Sequence, residues 1–143
     1  MKALIGPCPQ SVIKTKVELV RPLSKAALGV LPEKQGEWVF TIDGKTPISS
    51  FSRLKQDFDK ACGVNDYVLH DLRRTSRSLM SRAGVDADIA ERCLGHAIPG
   101  VRGVYDRHEY HAEKARAYEA LAGLIDRIVK GIGVDVVSIR GRK

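Results

Sequence analysis

Two residues three positions apart, His70 and Arg73, open the part of the sequence that could act on a phosphate ester. On an α-helix, residues at i and i+3 lie on the same face. That face would carry an imidazole and a guanidinium, and a guanidinium can hold two phosphate oxygens at once. Further along, His96 follows a glycine that can end a helix, and Tyr105 stands nine residues later. Together these side chains could bind a phosphodiester and attack it.

The order His-x-x-Arg, Leu-Gly-His and Tyr resembles the signature of the tyrosine recombinases, the phage-integrase type of enzyme that breaks and rejoins DNA. The separations of 23 residues from Arg73 to His96 and nine from His96 to Tyr105 match the usual pattern of that family. The resemblance covers roughly residues 12 to 125. It therefore predicts site-specific DNA recombination or integration, as in mobile elements.

The resemblance implies a covalent mechanism without a metal or other cofactor. Tyr105 would attack a phosphodiester to give a 3′-phosphotyrosyl bond and a free 5′-hydroxyl, and the energy kept in that bond would allow religation. Arg73 would hold the phosphate while charge develops on its non-bridging oxygens. His70 would accept or return the tyrosine proton, and His96 would donate a hydrogen bond to a non-bridging oxygen.

Two of these assignments have alternatives. The leaving 5′-oxygen needs a general acid, which the family takes from a lysine of a β-hairpin. An ungapped count favours Lys14, and Lys16 also qualifies. Tyr110 and Tyr118 could in principle replace Tyr105 as the nucleophile. However, Tyr118 falls inside a predicted helix and Tyr110 comes five residues after the expected position.

The charge of the chain favours a polyanionic partner. It contains 24 Lys and Arg against 17 Asp and Glu, a formal net charge of +7, and such an excess attracts the phosphates of nucleic acid. We expect double-stranded DNA with an attachment site as the partner, and self-association on that DNA. A non-catalytic DNA-binding protein that retains the recombinase fold is the alternative function. Four more arginines are candidate DNA contacts: Arg74, Arg77, Arg102 and Arg107.

Other features narrow the class of protein. The three cysteines are odd in number and lack a CxxC pairing, so the sequence suggests neither a disulfide framework nor a zinc site. No apolar run approaches the roughly 18 residues of a membrane span. We therefore expect a cytoplasmic, DNA-associated protein, encoded by a bacterium or a phage, with no membrane partner.

The elements that must position these residues are predicted to be mostly helical. Apolar residues at helical spacing, with capping residues, predict helices at 25–31, 50–63, 70–83, 86–95 and 112–129. Alternating apolar and charged residues predict a β-hairpin between 12 and 20, and residues 38–42 form a strand-like run before an Asp-Gly turn. The expected fold is α+β and mostly α, a helical bundle with a small N-terminal β-hairpin or sheet, as in the catalytic domain of a tyrosine recombinase.

The resemblance also implies that the chain carries a partial catalytic domain. Residues 1–131 would belong to that domain and residues 132–143 would form a basic tail. The family's first catalytic arginine and its core-binding domain precede the hairpin, and no counterpart of either stands ahead of it here. Loss of one donor to the developing charge costs about 10²-fold in rate or more. The chain alone is therefore expected to be slow or inactive.

Overall fold

The computed structural model of the protein describes residues 20–34, 36, 38–96 and 108–133. These ranges are mostly helical, which confirms the expected α-rich character. The region of the expected hairpin up to residue 19, with both candidate lysines, lies outside the described residues, as does the tail beyond residue 133. The described helices are α1 (Lys25–Val30), α2 (Phe51–Cys62), α3 (Leu69–Arg82), α4 (Ala87–Leu94) and α5 (His111–Lys130).

Two of the helices begin at the capping residues that the sequence indicates. Ser24 precedes α1, and its hydroxyl oxygen accepts a hydrogen bond from the backbone N–H of Ala27 at 3.2 Å. Asp86 precedes α4, and its carboxylate accepts from the N–H groups of Asp88 at 2.9 Å and Ile89 at 3.2 Å. Each cap satisfies backbone donors that have no partner inside the helix. The start of α4 is thus fixed by hydrogen bonds between Asp86 and the first turn of the helix.

The hydrophobic core lies where α3, α4 and α5 pack against one another, and α1 packs on α5. Met80 of α3 and Cys93 of α4 are the largest side chains with almost no contact to solvent, each 1% exposed. Because α4 contacts both long helices, its carboxyl end is held in place relative to them. The core cluster consists of Met80, Ala90, Cys93, Ala117 and Leu121, bordered by Leu79, Val85, Ile89 and Tyr118.

Two apolar residues of the long helices α3 and α5 are exposed. Leu72 is one of the apolar residues at helical spacing in α3 and is 56% exposed, and Ile125 of α5 is 41% exposed. The helix α2 packs against none of the other described helices to a comparable extent, and Phe51 and Phe58 of its apolar stripe are exposed. Helical periodicity was therefore a correct guide to the helices and a poorer guide to burial.

The strand-like run at 38–42 forms no extended strand in the described residues. An antiparallel bridge joins Thr41 and Pro47, and the N–H of Ile48 donates to the carbonyl of Phe40 at 3.1 Å. The expected turn is present, because the Asp43 carboxylate accepts from the backbone N–H groups two and three residues later, both at 2.9 Å.

Candidate functional site

The carboxyl end of α4 positions His96. Gly95 adopts a left-handed conformation with φ 74°, which a residue without a Cβ takes at no steric cost. The N–H of His96 then turns back and donates to the carbonyl of Glu91 at 3.0 Å, the pattern of a Schellman motif. The Leu-Gly-His sequence thus ends the helix as expected and leaves the His96 side chain exposed at that end.

Arg73 reaches the same helix end from α3. One terminal nitrogen of its guanidinium, Nη2, donates to the carbonyl oxygen of Leu94 at 2.7 Å. Leu94 is two residues before His96, so a contact across 21 residues of sequence brings Arg73 beside the turn that carries His96. The Arg73 side chain is half-buried. The guanidinium is therefore held by a backbone atom of the neighbouring helix and not by a carboxylate.

Glu91, which belongs to no motif in the sequence, connects His96 to α3. One carboxylate oxygen of Glu91 contacts Nδ1 of His96, and the other accepts from Nε of Arg77 at 2.7 Å. The hydrogen bond from His96 and then that from Arg77 lower the pKa of Glu91 below its ordinary value. An ionised carboxylate can only accept, so Nδ1 of His96 carries the proton and Nε2 is left for another partner. The only signal for Glu91 in the sequence is its position five residues before His96.

His70 lies in the first turn of α3, on the face of Arg73 one helical turn earlier. Its side chain is exposed, and no hydrogen bond or ion pair of the described residues involves its ring. Its neighbour Asp71 fixes the start of the helix by accepting from the backbone N–H of Val68 at 3.0 Å. The structure therefore places His70 near Arg73 along the helix without joining it to the contacts at the end of α4.

The two described arginines among the candidate DNA contacts already have acidic partners. Arg74 donates to Asp71 at 2.8 Å, and this bond, after that from the Val68 N–H, lowers the pKa of Asp71. Arg77 is engaged by Glu91. A phosphate could bind to the remaining N–H donors of either arginine or displace its acidic partner. Five other predicted site residues lie outside the described residues: Lys14, Lys16, Arg102, Tyr105 and Arg107.

Of the two alternative nucleophiles, Tyr118 is committed to a structural bond. Its hydroxyl donates to the carbonyl oxygen of Cys93 at 2.7 Å, and burial raises the pKa of Tyr118 to about 12. A buried phenol that is harder to ionise is a poor nucleophile. Tyr110 precedes α5 with an unusual φ of 50°, and the guanidinium of Arg92 lies 4.2 Å from the centre of its ring.

A second arginine, Arg21, also reaches the end of α4. Its Nε donates to the carbonyl of Cys93 at 3.3 Å and its Nη2 to that of Leu94 at 3.5 Å. Lys114 of α5 is buried nearby, where its Nζ donates to the carbonyl of Val20 at 3.1 Å, and burial is the main cause that lowers the pKa of Lys114. Cationic side chains thus surround the last carbonyls of α4, whose partial negative charge favours them.

No family model, no curated protein and no solved structure matches the chain. In the described part of the chain, no group of three His, Cys, Asp or Glu side chains is arranged to hold a metal ion. None of the described helices is long and apolar enough to cross a membrane.

Proposed function

We propose that the protein acts in site-specific DNA recombination, cleaving and rejoining DNA through a 3′-phosphotyrosyl intermediate with Tyr105 as the nucleophile. The observation that carries the proposal is the contact between Arg73 and the carbonyl of Leu94. It brings the guanidinium of Arg73 to the turn that carries His96, which stands 23 residues further along the sequence. These are the two groups that the motif assigns to one phosphate.

Arg73 suits the role of phosphate ligand in this reaction. A guanidinium carries five N–H donors, and in the described part of the chain a single hydrogen bond of Arg73, from Nη2, uses one of them. The others can bind non-bridging oxygens as the phosphorus becomes five-coordinate. Because the group is held in advance by a backbone carbonyl, it needs little reorganisation when charge develops, which is where preorganised donors contribute most.

His96 is oriented for the same phosphate by Glu91. The contact at Nδ1 leaves Nε2 as the working atom of the ring. In the neutral ring Nε2 accepts a hydrogen bond or a proton, and in the imidazolium it donates to a phosphate oxygen. Glu91 is thus a positioning residue that acts through His96. His70 lies one turn before Arg73 on the same helix face, and its side chain is exposed. It is therefore accessible as an acceptor for the proton of the attacking tyrosine.

The partner in this proposal is double-stranded DNA, with self-association of the protein on it, in the cytoplasm. The net charge of +7 supports a polyanionic partner. Backbone phosphate contacts supply most of the affinity of such a surface and little of its specificity.

A suicide substrate tests the proposal. A radiolabelled duplex with a nick near the cleavage position loses a short fragment after attack, so that the covalent intermediate accumulates and migrates with the protein under denaturing conditions. A library of nicked duplexes replaces a single site because the target sequence is unassigned. Because the nick traps each attack, even a slow reaction accumulates product. We expect an adduct with the wild-type chain and with Tyr110→Phe, and none with Tyr105→Phe.

The matched pair of tyrosine variants separates the outcomes. An adduct that persists in Tyr105→Phe and vanishes in Tyr110→Phe would move the nucleophile by five positions. Binding of the duplex without any adduct would instead favour a non-catalytic DNA-binding protein. Either result contradicts the assignment of Tyr105.

A further inference from the structure

Two arginines from distant parts of the sequence meet at one backbone oxygen. Nη2 of Arg73 lies 2.7 Å and Nη2 of Arg21 lies 3.5 Å from the carbonyl oxygen of Leu94, so the two nitrogens are within about 6 Å of each other. Neither the residue type of Arg21 nor its position in the sequence indicates a role at the site. Like charges at this distance repel unless something compensates them.

No carboxylate of the described residues compensates this pair. The ion pairs at this end of the bundle join Arg77 and His96 to Glu91, and none includes Arg21 or Arg73. The compensation comes from the carboxyl end of α4, whose last carbonyls carry partial negative charge. A helix end offers about half an elementary charge, so two guanidiniums leave a net positive site.

The two guanidiniums also retain donors. Arg21 uses Nε and Nη2, and Arg73 uses Nη2, in hydrogen bonds to backbone oxygens of α4. Each group has five N–H donors, so both can bind a further acceptor. Both side chains are half-buried, where an anion would be less screened than on an open surface. Charged N–H···O bonds are about 2.8 Å long, so nitrogens this close can bind two oxygens of one phosphate.

We propose that Arg21 and Arg73 together form one phosphate-binding site at the carboxyl end of α4, in which Arg21 is a second ligand of the phosphodiester that Arg73 binds. The identity of the anion, a phosphodiester of double-stranded DNA, rests on the proposed function. The backbone contacts hold the two guanidiniums close to each other, so that their remaining donors can bind one anion.

Equilibrium binding to a fluorescent duplex tests this site with four variants: Arg21→Gln, Arg73→Gln, the double variant and Arg53→Gln. Arg53 is the matched control because it is exposed on α2, away from the packed helices, and loses the same unit of charge. We expect Arg21→Gln and Arg73→Gln each to weaken binding about tenfold, as for the loss of a hydrogen bond to a charged group. Arg53→Gln should weaken it less than about twofold.

A shared phosphate makes the two losses non-additive. The double variant is therefore expected to lose much less affinity than the roughly 100-fold that two independent sites would lose. The proposal is overturned if Arg21→Gln binds like Arg53→Gln, if the two losses multiply, or if the wild-type chain does not bind the duplex. It does not depend on Tyr105, so failure to form a covalent adduct, with binding and coupling intact, would refute the proposed function alone.

Because Arg21 also donates to the backbone of α4, its variant could fold poorly, and a second measurement avoids substitution altogether. In the wild-type protein, the side-chain Nε–Hε signals of arginine can be followed by NMR while the duplex is added. Both the Arg21 and the Arg73 signals should shift with the same midpoint. A shift of the Arg73 signal alone would remove Arg21 from the site.

Discussion

Glu91→Gln is a sharp test of the link between His96 and α3, because glutamine keeps the shape of glutamate and removes its charge. In the folded protein this carboxylate contacts Nδ1 of His96 and accepts from Nε of Arg77. The carboxylate is about one-third exposed, so solvent screens both contacts. Pairs of this kind contribute about 0.2–1 kcal/mol each. We expect the variant to lose about 1 kcal/mol of unfolding free energy at pH 7, or about 2–4 °C in Tm.

The loss should depend on pH in a defined direction. The pKa of Glu91 is lower in the folded chain than its ordinary value of 4.5. Its charge therefore stabilises the fold above that value, and the stabilisation disappears as the pH falls through the lowered pKa. Urea unfolding of the wild type and of Glu91→Gln, measured at intervals from pH 7 to pH 3, should show a difference that shrinks toward zero at the acidic end.

Glu33→Gln is the control for a change of charge alone, because Glu33 is exposed and has no hydrogen bond or ion pair in the described part of the chain. We expect it to change stability by less than about 0.5 kcal/mol at every pH. A Glu91→Gln loss of equal size at pH 7 and pH 3 would show that packing, and not the carboxylate charge, holds the end of α4. That result would refute the role given to Glu91.

Three further predictions concern the core, a helix cap and the affinity for DNA. Met80→Ala should cost about 2–5 kcal/mol in chemical denaturation, because it empties a site that is 1% exposed between three helices; a cost below 1 kcal/mol would contradict this packing. Asp86→Ala should cost about 1 kcal/mol by removing two cap hydrogen bonds, whereas Asp86→Asn, which keeps an acceptor, should cost much less. Binding to a duplex of unrelated sequence should weaken roughly 100-fold between about 50 and 200 mM salt if about four phosphates are contacted, and a tight complex insensitive to salt would be inconsistent with phosphate binding.

Local rules made the helices and their ends predictable from the sequence. Ser24 and Asp86 cap helices because their side chains accept from backbone N–H groups within three residues. Gly95 ends α4 because its φ of 74° suits a residue without a Cβ. Such signals depend on neighbours in the chain, so a single sequence contains them. The approach of Arg73 to the His96 turn could be expected only through the motif, since no local rule joins those residues.

Tertiary contacts account for what the sequence left unpredicted. Arg21 donates to a carbonyl 72 residues away, and neither its type nor its spacing marks that partner. Glu91 was missed because its use depends on how the chain turns after Gly95. The exposure of Leu72 was missed for a related reason, since periodicity defines an apolar face but does not say which element covers it. The expected strand at 38–42 is not extended in the described residues, where a bridge between Thr41 and Pro47 flanks the turn at Asp43.

The most direct test of the recombinase proposal is to locate the covalent bond. The adduct formed with a nicked duplex can be digested with nuclease and trypsin, and the peptide that carries the residual nucleotide can be sequenced by mass spectrometry. We predict a 3′-phosphotyrosyl nucleotide on the peptide that contains Tyr105, lost in Tyr105→Phe and much reduced in Arg73→Gln. A nucleotide attached to any other residue, or an unmodified Tyr105 peptide from protein that binds the duplex, would contradict the proposal.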